Sequence, residues 1–120
     1  SVFSSSINKG WMICNGADSE GSSIVLKMKF SNVTSEGVLF QSKTLDNQPN
    51  NDLVLKRTDN DADMVTYGTV KRYKDVKAVT NLVSYGPVNQ SMIATTVYNN
   101  ADNAVYTVHV NLANCIKASK

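Results

Sequence analysis

Period-two alternation of apolar and polar positions runs through most of this chain, in short segments separated by polar turns. The clearest segment is Ile24 to Phe30, where Ile24, Leu26, Met28 and Phe30 share one face while Lys27 and Lys29 take the other. The last segment, Ala104 to Cys115, is the longest. Tyr106, Val108, Val110 and Leu112 form its apolar face, opposite Val105, Thr107, His109 and Asn111. Between these two the pattern predicts strands from Gly37 to Leu45, around Leu53 and Leu55, from Met64 to Tyr73, from Val76 to Tyr85 and from Ser91 to Tyr98. A first short strand, Trp11 to Cys14, precedes them and is expected to end at the turn dipeptide Asn15-Gly16, with a loop from Ala17 to Ser23. Gly68, inside the fifth strand, predicts a bulge or sharp bend. A helical period also fits Val76, Val79, Leu82 and Val83. The β-branched residues and the Thr80-Asn81 pair favour a strand there.

Eight short strands with polar connections predict an all-β antiparallel domain. Its closure is decided by the cysteines. Cys14 ends the first strand and Cys115 the last, and a disulfide requires their Cα atoms to come within ~7 Å. A bond between them joins the two edges that a row of hairpins leaves open. The expectation is therefore a small closed barrel with its terminal strands linked by a disulfide, with a β-sandwich as the alternative. Residues 1–9 read as a mobile Ser-rich arm and residues 10–120 as a single domain.

Composition narrows the class further. With 42% hydrophobic and 18% charged residues the chain reads as a globular domain, and no apolar run approaches the ~20 residues of a membrane-spanning helix. The abundance of Asn, Ser, Thr and Val, with only Glu20 and Glu36 as glutamates, is strand-and-turn chemistry. A net charge of +2 does not require a nucleic-acid partner. Two widely separated cysteines without metal-ligand neighbours point to an oxidising compartment, so a secreted or periplasmic location is expected. The chain starting at Ser1 reads as a processed secretory protein or an expression scar. Asn32-Val-Thr34 and Asn89-Gln-Ser91 are glycosylation acceptor patterns.

The candidate sites are few. Asp59, Asp61 and Asp63 offer oxygen ligands at alternate positions, as at the start of a calcium loop, but Met64 stands where the turn glycine belongs and no closing glutamate follows. Ca2+ is the one cofactor these residues suggest; otherwise none is expected. Lys71, Arg72, Tyr73, Lys74 and Lys77 form a basic cluster able to hold a phosphate, an acidic glycan or an acidic protein face. His109 is the sole histidine and lies on the outer face of the last strand, without a partner that defines catalysis. Trp11, the sole tryptophan, is expected inside, as a core plug at one end of the barrel or as the wall of a ligand cavity.

Gly10-Trp11 is similar to the glycine and tryptophan near the first strand of lipocalin-like barrels, which have one residue between the two. Trp11-x-x-Cys14 together with Asn114-Cys115 resembles the two ends of small periplasmic lysozyme-inhibitor barrels. The Ser-Gly-x-x-Tyr segment that those inhibitors insert into an active site is missing here, so no functional residue is carried over. The expectation for function is a non-enzymatic binding domain that recognises a protein, a glycan or a small apolar ligand through its loops or a barrel end. A structural subunit of a surface or capsid-like assembly is the alternative, and an enzyme of unidentified type comes third.

Overall fold

The computed structural model describes residues 10–59, 63–85 and 90–118. They hold eight strands: β1 Met12–Asp18, β2 Ser23–Ser31, β3 Gly37–Lys43, β4 Pro49–Arg57, β5 Met64–Arg72, β6 Val76–Tyr85, β7 Gln90–Asn99 and β8 Ala104–Lys117. Every strand pairs antiparallel with its chain neighbour, and β8 returns to β1. The molecule is thus a closed up-and-down barrel rather than a sandwich. The segment 76–85 is a strand along its whole length, as its β-branched residues predict. The arm 1–9 lies outside the described residues.

Two strand limits depart from the sequence reading by about one turn's length, while the others shift by at most one or two residues, as where β3 stops at Lys43 and β8 runs on to Lys117. β1 does not stop at Asn15-Gly16 but runs to Asp18, because Gly16 pairs with both Ile24 and Val110. A Cβ on Gly16 would lie 2.5 Å from His109 O and 2.6 Å from Val110 Cγ2, so this glycine serves close strand approach and not a turn. β4 starts at Pro49, inside the Asn-rich stretch read as loop, because pairing with β3 extends up to Lys43. Gly68 causes no bulge against β6, where the register is continuous. It instead marks the place where β4 and β5 part: among the described residues their ladder contains only Lys56↔Gly68 and Arg57↔Tyr67.

The β1–β8 seam carries the disulfide. Cys14 and Cys115 are register partners with Cα atoms 4.2 Å apart, bonded across 101 residues of sequence. The next pair is Gly16↔Val110, so Asn111–Asn114 of β8 stand opposite Asn15 alone as a bulge in which Leu112 is buried and Ala113 and Asn114 are exposed. Within the bulge the Ala113 N–H donates to Asn111 Oδ1 at 3.0 Å.

Chain order places the β1–β2, β3–β4, β5–β6 and β7–β8 connections at one end, here the upper end. The lower end is densely filled. Met12, Phe30, Val38, Leu55, Leu82 and Leu112 are buried there, with the Phe30 and Phe40 rings 5.2 Å apart. Tyr67 caps this core by donating its hydroxyl to Thr34 O at 3.0 Å, and the Ala118 N–H donates to Trp11 O at 2.9 Å. Buried hydroxyls pair across strands: Ser91 donates to Ser84 at 3.0 Å, and Thr80 and Thr95 share a bond of 2.8 Å.

Candidate functional site: an open-ended interior cavity

The upper half of the barrel is not filled. A cavity of about 300 Å3 rests on Met28, Phe40, Ile93 and Val110, and is walled higher up by Ile24, Leu26 and Val108. The floor residues are buried, whereas the wall residues are only half-buried, so the cavity opens toward the upper end. Alternation explains the lining. Even positions of β2, β3 and β8 and odd positions of β7 face inward, and Phe40, at the floor, is the one aromatic side chain among the described lining residues.

Three polar groups join this apolar lining: Ser42, Thr95 and Asn50. Thr95 already shares its hydroxyl hydrogen bond with Thr80. Asn50 reaches the cavity through an irregularity in the ladder. Ser42 pairs with Asn51 and Lys43 with Pro49, so Asn50 is the residue skipped by the register. Among the described residues no lining side chain is charged. Sequence reasoning missed all three, because Asn50 sat in apparent loop chemistry and nothing in the pattern separates a lining hydroxyl from a core one.

The upper rim also holds the pair Asp18 and Tyr106. Asp18 Oδ1 accepts the Ser22 N–H at 2.8 Å and the Glu20 N–H at 3.0 Å, while Oδ2 accepts the Tyr106 hydroxyl at 3.1 Å. The Ser22 bond above all, helped by the Tyr106 bond, holds the Asp18 carboxyl below its ordinary 3.8. Burial first, then Asp18, pushes the Tyr106 phenol above its ordinary 10.0. The carboxylate contribution to stability is therefore complete above 3.8 and is lost as pH falls through the lower folded value. Asp18→Asn keeps an oxygen for the two amides but removes the charge. The melting temperature of the wild type is expected to exceed that of the variant near about pH 5, and the gap to close toward about pH 2. A gap that stays constant over this range would show that the charge plays no part.

The sequence-predicted site residues fall elsewhere. Trp11 is neither a core plug nor a cavity wall. Met12 and Cys14 take the inward positions of β1, so Trp11 faces outward, half-buried, with Lys43 Nζ 3.9 Å and Lys29 Nζ 5.9 Å from its ring centroid. Lys71, Arg72, Tyr73 and Lys74 are exposed at the β5–β6 hairpin, on the upper rim but outside the cavity lining. Lys77 is committed to Asp102 at 3.1 Å and lies 5.5 Å from the Tyr98 ring. Of the calcium candidates, Asp61 lies outside the described residues. Asp59 sits 3.6 Å from Arg57 Nε, and Asp63 is exposed. Among the described residues no group of three or more His, Cys, Asp or Glu side chains is placed to hold a metal ion. Asn32 is exposed in the β2–β3 turn with φ at 53°, while Asn89 lies outside the described residues.

Fold and cavity together define a class: an eight-stranded antiparallel barrel, stapled at its closing seam, filled at one end and hollow at the other. Comparison with protein-family models, with curated proteins and with solved structures gives no match. Among the described residues no helix is long and apolar enough to cross a membrane.

Proposed function

We propose that this barrel is a secreted or periplasmic binding protein, without enzymatic activity, that takes a small neutral apolar molecule into its open end. The observation that carries the reading is the cavity of about 300 Å3 framed by Ile24, Leu26, Met28, Phe40, Ile93 and Val108. That volume stands at the lower limit of the ~300–1,000 Å3 typical of ligand pockets, which favours a compact ligand. The uncharged lining disfavours a carboxylate or an ammonium group, which would lose its hydration without gaining a counter-ion. Ser42 and Asn50 can orient a single hydroxyl or carbonyl. The disulfide supports an oxidising compartment.

Binding of the neutral fluorophore N-phenylnaphthylamine tests the reading. Its emission is expected to rise and shift to the blue on addition of the protein. Val108→Trp, which places an indole in the cavity mouth, is expected to weaken binding at least about tenfold while the far-ultraviolet spectrum stays that of the wild type. No enhancement with the wild type, or equal affinity in the variant, would reject the cavity as the binding site.

A further inference from the structure

A second depression lies on the outer wall, unconnected with the interior cavity. It spans β1, β7 and β8 over the bulge and encloses about 360 Å3 between Asn15, Ala17, Met92, His109, Asn111 and Asn114. Its construction follows from the register. Val110 points inward, so His109 points out, and its partners on the two neighbouring strands are Ala17 and Ala94. Two methyl groups therefore flank the imidazole and leave its surroundings low. Met92, partner of Asn111 and 41% exposed, supplies an apolar shoulder.

The bulge then brings in amides. Because the register passes from Cys14↔Cys115 to Gly16↔Val110, four residues of β8 stand opposite Asn15 alone; Leu112 stays buried in the core, while Asn111 and Asn114 line the groove with Asn15. Asn111 Oδ1 accepts the Ala113 N–H at 3.0 Å, which holds the bulge and leaves its amide NH2 as a spare donor. Among the described residues, the side chains of Asn15, Asn114 and His109 make no hydrogen bond within the protein.

We infer that this groove binds a neutral pyranose sugar. A sugar ring presents hydroxyls that need donors and acceptors together, and an amide side chain offers both within one planar group. Its C–H faces need an apolar surface, which Met92, the Ala17 methyl and the imidazole ring provide. Among the described residues the lining holds no carboxylate, ammonium or guanidinium group, so a charged ligand would find no partner of opposite sign there. A shallow open groove suits a ring that keeps one edge in water.

The test is a titration of the whole chain with glucose, galactose, mannose and N-acetylglucosamine, followed by 1H–15N correlation spectra. At least one sugar is expected to saturate in the millimolar range, with the largest shifts at the side-chain amides of Asn15, Asn111 and Asn114 and at the His109 ring. His109→Ala and Asn114→Ala, both on the surface, are each expected to weaken binding about tenfold, as for one lost hydrogen-bonding group, while affinity for N-phenylnaphthylamine stays unchanged. Absence of shifts with all of these sugars overturns the inference. So do shifts confined to the interior cavity, or shifts that persist at full affinity in His109→Ala.

Discussion

Replacing Cys14 and Cys115 together by alanine is expected to destabilise the barrel by about 2–5 kcal/mol. The bond spans 101 residues, and for a loop of that size the chain-entropy account gives an upper figure of ~4.7 kcal/mol. Position adds to entropy here. Below the disulfide the described seam is short, with the pairs at Ile13 and Met12 and the Ala118–Trp11 backbone bond, and above it the Asn111–Asn114 bulge interrupts the ladder before Gly16↔Val110. The disulfide thus holds the short lower stretch of a seam whose upper stretch cannot support it directly. Alanine is the better replacement because Cys14 is fully buried, and a serine hydroxyl there would add a desolvation cost of its own. Urea unfolding of the variant, and of the wild type with and without reductant, measures the effect. A loss below about 1 kcal/mol would mean that strand pairing alone closes the barrel.

The second large effect concerns the two halves of the interior. Leu55 is fully buried in the filled lower end, and Leu55→Ala is expected to cost about 3–4 kcal/mol, transfer and cavity terms together. Leu26 faces the same interior but lines the void and is only half-buried. Leu26→Ala is expected to cost about 1 kcal/mol, since the deleted atoms give up fewer packed neighbours. The same variant enlarges the pocket and should admit bulkier neutral probes. Denaturant midpoints of the two variants decide the matter. Equal losses would show an interior packed alike from end to end.

Legibility of the sequence varied from strand to strand for physical reasons. β2 was plain, because Lys27 and Lys29 stand on the water side of an apolar row. β6 hides its orientation. Its inward positions include Thr80, Leu82 and Ser84, while Val79 and Val83 are outward. The hydroxyls are tolerated inside because Thr95 and Ser91 of β7 meet them across the strand pair, a match that no reading of β6 alone reveals. Asn15-Gly16 resembles a turn, yet Gly16 serves the approach of His109 O. Trp11 is an apolar side chain held outside by the parity of its strand, with two lysines above its ring.

The functional candidates follow the same division. Thr95 lies far in sequence from Ser42 and Asn50, as Asn114 does from Asn15. Each pair of strands contributes to one cavity or groove only through the shear and the bulge that set its register. Alternation is a property of neighbouring residues, so the sequence by itself determined the number of strands, their antiparallel order and the joining of the two ends through Cys14 and Cys115. Which end is filled, where β8 bulges and which polar groups meet depend on volumes and registers summed around the whole barrel. Those quantities exist only once β8 has closed on β1, and the tertiary structure alone decided them.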